Sequence, residues 1–143
     1  MKILFWMFPV LFLMAGLSFA ERSVRPPGSP LKTCPHTPNC VSSQAGDPEH
    51  AIAPFLYSGG RAEAYARIKD IVGGMKRTKI VAEKEDYLHA EFKSLIFRFI
   101  DDVEFYFPED QNIIHVRSAS RVGHSDMGVN RKRVEEIRRI FDR

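Results

Sequence analysis

The first apolar stretch of the chain has no period: sixteen of its first twenty side chains are apolar, and Lys2 is their only charge. Beyond it, apolar and polar positions follow helical or alternating spacing. In residues 61–75, Tyr65, Ile68, Val72 and Met75 recur at helical spacing between Gly59-Gly60 and Gly73-Gly74, which predicts a helix. Residues 78–83, 87–93, 95–107 and 112–121 are rich in aromatic and branched side chains, with breaks at Glu85-Asp86 and Pro108-Glu109-Asp110. That pattern predicts strands, and connections this short demand antiparallel neighbours. Residues 129–141 set Val134, Ile137 and Phe141 on one stripe among arginines, predicting a second helix. Helix, four-strand antiparallel meander, helix makes a single α+β domain, with one helix on its N-terminal side and one at its C-terminal end.

The opening run has the three regions of a secretory signal: Lys2, an apolar stretch to Leu17, and the small-x-small ending Ser18-Phe19-Ala20. Residues 1–20 are therefore expected to be a signal peptide, with Glu21 the first mature residue. An uncleaved anchor is the alternative, since the run approaches the roughly 20 residues of a membrane span. Pro9 and the charged, proline-rich stretch that follows favour cleavage, which removes the sole tryptophan, Trp6, and leaves no stable transmembrane span. The expected location is periplasmic or extracellular. Without this run the apolar content falls from 44% to roughly 38%, ordinary for a soluble domain. About 123 residues support one core and exclude a multidomain enzyme or a polytopic membrane protein.

Residues 21–33 form a lead-in to the domain at 34–143, because prolines at 26, 27, 30, 35 and 38 forbid helix. Cys34 and Cys40 are the only cysteines, and an even count in an exported chain predicts a disulfide. So short a loop gains only about 2 kcal/mol, so its use is to fix local shape. Charge is uneven. The total is +3, yet residues 117–143 carry eight Lys or Arg against four Asp or Glu. A basic end of this kind suits an anionic ligand or an envelope component; a solvated helix face is the plainer explanation.

The densest polar chemistry lies in Asp101, Arg117, Ser118, Ser120, Arg121, Asp126, Asn130 and Arg131. Asp101 interrupts the odd-numbered face of the third strand, otherwise Leu95, Phe97, Phe99, Val103, Phe105 and Phe107. If Phe107 pairs with Ile113, Asp101 pairs with Ala119 and lies diagonally between Arg117 and Arg121. A turn at Asp101-Asp102 is the alternative. The first register gives either an internal ion network or an anion pocket with an arginine to spare, guanidinium being suited to bidentate anion binding. Asp126 or Asn130 is placed to cap the last helix, and a helix N-terminus also favours an anion.

Enzyme chemistry is poorly supported. Ser118, Ser120 and Ser125 with His115, His124 and Asp126 supply the residue types of a triad but no G-x-S-x-G elbow. A carboxylate pair from Asp101, Asp102 and Glu104 would sit beside arginines that lower an acid's pKa. Cys34, His36, Cys40, Asp47 and His50 match no common zinc, redox or haem spacing, so neither a metal nor a cofactor is expected. Nucleic acid is excluded as a partner by the compartment and by a basic helix without interleaved aromatics.

Three segments, Cys34-Pro35 through Pro38-Asn39-Cys40-Val41-Ser42-Ser43, Phe97-Arg98-Phe99-Ile100-Asp101-Asp102-Val103-Glu104-Phe105, and Arg117-Ser118-Ala119-Ser120-Arg121-Val122-Gly123 onward through Asn130-Arg131-Lys132-Arg133, together resemble the domain of unknown function 1499 family. The resemblance covers nearly the whole mature chain. It implies that the three segments belong to one domain pattern, and it implies no activity, ligand or catalytic residue. An aromatic is its usual residue where this chain has His124, which argues against His124 as a base. The expected function is a non-enzymatic binding or envelope-associated module with an arginine-rich anion site. A small exported hydrolase or metal-binding enzyme is the contrasting class.

Overall fold

The computed structural model describes residues 26–143; the expected signal peptide and the start of the lead-in lie outside the described residues. The elements are β1 (Cys40–Ser42), β2 (Phe55–Leu56), α1 (Arg61–Gly73), β3 (Thr78–Lys84), β4 (Tyr87–Lys93), β5 (Ile100–Tyr106), β6 (Ile113–Ser120) and α2 (Val129–Phe141). The meander β3 to β6 and its two helices agree with the pattern of the sequence, and the fold is α+β. β1 and β2 are too short to show a period. They complete a six-stranded antiparallel sheet of order β1-β6-β5-β4-β3, with β2 paired to the start of β6.

Strand alternation divides the side chains between two faces. Leu88, Ala90 and Phe92 of β4, Val103 and Phe105 of β5, and Ile114 and Val116 of β6 meet both helices on one face. α1 contributes Ala64, Ile68 and Val72; α2 contributes Val134, Ile137 and Phe141. Phe55 meets Phe105 and Phe141 edge-on, at 6.0 and 5.7 Å between centroids. Burying a side chain of this kind contributes about 1.5–3 kcal/mol. Tyr65 is only partly buried and lies against Phe107. Cys34 and Cys40 form a disulfide. Among the described residues no helix is long and apolar enough to cross a membrane.

Two sequence expectations are corrected. Residues 95–99 do not extend β5. Lys93 pairs with Ile100, so residues 94–99 form the tip of the β4–β5 hairpin, closed by Ser94 and Phe99, with Arg98 at a left-handed φ of 56°. Leu95, Phe97 and Phe99 are exposed rather than inward-facing. The segment carries no glycine, proline or asparagine to announce a turn, and its aromatics read as strand. The register of β5 on β6 is also displaced by one residue: Asp101 pairs with Ser120 and Asp102 with Ala119. Ile114 and Val116 cause the shift, because burying both turns the even positions of β6 inward and sends Arg117 to the other face.

Candidate functional site

The polar residues singled out in the sequence fall into two centres on opposite faces of the sheet. On the helix-covered face, Asp101 alternates with Val103 and Phe105 as predicted. Its ion-pair partner, however, is Arg133 of α2, at 2.6 Å, and not Arg117 or Arg121. Arg133 lies over the ring of Phe92 and also donates to Asn130 Oδ1 at 2.9 Å and Ser118 Oγ at 3.3 Å. Asn130 has no exposed surface. Its Oδ1 accepts from Ser118, and its amide nitrogen lies 2.8–3.2 Å from Asn39 O, Ser120 Oγ and Asp126 Oδ2. Asp126 accepts from the Gly128 and Asn130 backbone N–H groups, so the protein's own carboxylate fills the place at the α2 N-terminus that an external anion would take. Burial pushes the Asp126 carboxyl up, but these hydrogen bonds outweigh it and hold the group below its ordinary value. Arg131 donates to the Ala51 and Glu49 carbonyls and fastens α2 to that loop. This centre braces α2 against the sheet, with the Asp101–Arg133 pair in the wall of an open hollow.

Among the described residues the other face carries no helix. Here β4 presents Tyr87, His89 and Glu91, β5 presents Asp102 and Glu104, and β6 presents Arg117, followed by Arg121. The register sets Glu104 between His89 and Arg117, and Asp102 between Glu91 and Ala119. Arg121 holds Asp102 through Nε and Nη2, at 2.8 and 2.7 Å, and reaches Glu91. His89 Nε2 meets the same Asp102 at 2.7 Å. Arg117 donates to Glu104 at 3.0 Å, and the Tyr87 hydroxyl donates to the other oxygen of Glu104 at 2.6 Å. Burial raises the Asp102 carboxyl, yet the bonds from Arg121 and His89 more than reverse this and leave it below its ordinary value. Burial, together with donation to Glu104, holds the Tyr87 hydroxyl in its protonated form.

Of these, His89, Asp102, Glu104, Arg117 and Arg121, joined by Lys32 from the lead-in, line an open hollow of about 310 Å³. Its lining holds three cations, Lys32, Arg117 and Arg121, against Asp102 and Glu104; Glu91, outside the lining, also pairs with Arg121, so Lys32 is the cation left unpaired. Arg117 makes one side-chain hydrogen bond among the described residues, to Glu104, and its buried Nε has no acceptor. The arrangement can therefore receive an anion beside Arg117 without first breaking a pair. Arg121 is more fully occupied.

A second cluster, Asp47, Glu49 and His50, brings its potential ligand atoms within 4.8 Å of one another. Both ring nitrogens of His50 are engaged, Nδ1 with Asp47 and Nε2 with the Thr37 carbonyl, so the ring has no free lone pair to offer. The cysteines of the spacing weighed above are oxidised to the disulfide and cannot act as thiolates. The sequence pattern points to Glu104 only as a member of a carboxylate pair, and not to His89, Glu91, Lys32 or Arg133. The alternation of β6, with apolar Ile114 and Val116 against polar His115 and Arg117, is the signal that leads to His89 and Glu91.

No curated protein matches the chain. The family model described as "Protein of unknown function (DUF1499)" matches residues 30–141, which include both polar centres and the disulfide loop. With nearly all of the described domain matched, the chain belongs to the DUF1499 family.

Proposed function

We propose that this chain is an exported, non-enzymatic binding module that captures an anionic group in the hollow lined by Lys32, Arg117 and Arg121. The observation that carries the reading is Arg117, a mostly buried guanidinium with donors to spare at the edge of an open, cation-rich hollow. Arginine donors and an unpaired lysine are suited to a phosphate or carboxylate group. Export rests on the pattern of residues 1–20, and the Cys34–Cys40 disulfide is compatible with it. A hydrolase is the contrasting reading, and its one favourable observation is the His89–Asp102 pair. No hydroxyl or thiol among the described residues hydrogen-bonds to His89, and Asp102 is held ionised by Arg121, so neither a nucleophile nor a proton-donating acid stands beside it.

The test is thermal unfolding in the presence of inorganic phosphate, and separately of citrate, at constant ionic strength. A ligand that binds only the folded state raises the melting temperature. The wild type is expected to show that rise, and Arg117→Gln and Lys32→Gln to lose most of it. Lys32 is exposed and has no partner among the described residues, so its substitution leaves the fold intact even if loss of Arg117 weakens it. No rise in the wild type, or an equal rise in both variants, sinks the reading.

A further inference from the structure

The tip of the β4–β5 hairpin is the least expected surface of the domain. Leu95, Ile96 and Phe97 are 70%, 78% and 74% exposed, and Phe99 is half exposed. The tip is shaped rather than loose: Ser94 and Phe99 close it by hydrogen bonds, and the Phe97 and Phe99 rings stack at 5.6 Å between centroids. The loop after β6 reaches the same end, since the Arg121 N–H donates to the Ile100 carbonyl. That loop adds exposed Val122 and Met127, and the start of α2 adds Val129. Isolated exposed apolar residues are ordinary, but a contiguous group marks an interaction surface.

Charge identifies the partner. Two hollows flank the root of the hairpin, one on each face of the sheet, and share Arg77, Lys93 and Ser94. Together they are lined by seven Lys or Arg side chains and three Asp or Glu. Two of the acids are already paired, Asp101 with Arg133 and Glu91 with Arg121. Lys76, Lys79, Lys93, Arg98 and Lys132 have no ion-pair partner among the described residues. An aromatic and aliphatic point ringed by unpaired cations matches a bilayer whose surface is anionic: the apolar side chains enter the acyl boundary while the cations remain at the headgroups. An apolar protein groove would accept the point but leave the ring of cations without a counterpart. We infer that the Leu95–Phe99 tip docks this domain on an anionic lipid surface, with Arg98, Lys93 and Lys132 around the root of the hairpin directed at the headgroups.

The experiment places a nitroxide label at Ile96→Cys in the full chain. The native cysteines form a disulfide, so the new thiol is the only one free. A label at Gln111→Cys, in the β5–β6 turn at the opposite end of the meander, is the control. With vesicles of equimolar phosphatidylglycerol and phosphatidylcholine, the label at 96 is expected to become protected from an aqueous nickel relaxant and accessible to oxygen, while the label at 111 stays in water. Partitioning is expected to weaken by about tenfold or more in Lys93→Glu/Arg98→Glu, as charge reversal opposes an anionic leaflet. Arg117→Gln is expected to bind vesicles like the wild type, which separates this surface from the anion hollow. Vesicle-bound protein whose label at 96 remains in water overturns the inference, since attachment then runs through another segment such as residues 1–20. Burial of that label without vesicles also overturns it, by showing that a second copy of the chain covers the tip. Absence of any vesicle binding does the same.

Discussion

Asn130, itself without exposed surface, accepts from Ser118 and Arg133 and faces Asn39, Ser120 and Asp126 through its amide nitrogen. A side chain so placed ties α2 to β6 and to the residue before β1. Asn130→Ala strands several buried polar groups, each costing about 1–3 kcal/mol when unpaired. The expected loss is about 3 kcal/mol in chemical denaturation, with the slope of the transition unchanged. A loss below about 1 kcal/mol would show that the network relaxes around the gap or admits water. In the sequence Asn130 was visible as a candidate cap, but its part in joining β1, β6 and α2 was not. Its partners Asn39 and Ser118 lie 91 and 12 residues away, and proximity over such distances is created by folding.

At the level of elements, the disulfide loop and β1 act together. The bond between Cys34 and Cys40 closes the loop just before β1, and Asn39 at its end donates to the Gly123 carbonyl while its own carbonyl accepts from Ser120 N–H. The staple thus presets one wall of the network around Asn130. Reduction, or Cys34→Ser/Cys40→Ser, is expected to cost about 2 kcal/mol from loop entropy. Because the loop also carries Asn39, hydrogen exchange should speed up at Ser120 N–H, which donates to it, before it does in the β4–β5 ladder. Uniform acceleration across the sheet would instead mean that the bond acts on the unfolded chain alone. The helices and four main strands could be anticipated because each repeats its period over seven or more residues. The register of β5 on β6 could not be fixed from the length of their turn. The apolar pair Ile114 and Val116 outweighs turn geometry, and a slip of one residue exchanges the faces of Arg117 and Ser118.

For the whole molecule, acid titration brings several such placements into one measurement. Burial holds His115 below its ordinary value of 6.5; its Nδ1 bonds Ser43, and its buried Nε2 has no partner among the described residues. The unfolded chain therefore takes up this proton first, and the stability His115 contributes is lost as pH falls from 6.5 towards its folded value. His50 has the opposite sign. Burial lowers it, but the Thr37 carbonyl and Asp47 raise it further, so its contribution is full below 6.5 and fades as pH rises through its folded value. The two therefore act on opposite sides of 6.5. Asp102 and Asp126, lowered from 3.8, withdraw their stabilisation only below that value. Between pH 7 and 5, melting scans of His115→Gln should therefore lose less stability than the wild type, and those of His50→Gln more. Identical pH profiles for all three would refute the assignment. The sequence by itself determined the disulfide, the α+β class and the family, because each depends on local composition, short spacing or periodicity. Only the tertiary structure decided which polar residues brace the core and which line a hollow. Alternation leaves two faces for every strand, and the choice between them is made by the burial of apolar neighbours contributed by distant parts of the chain.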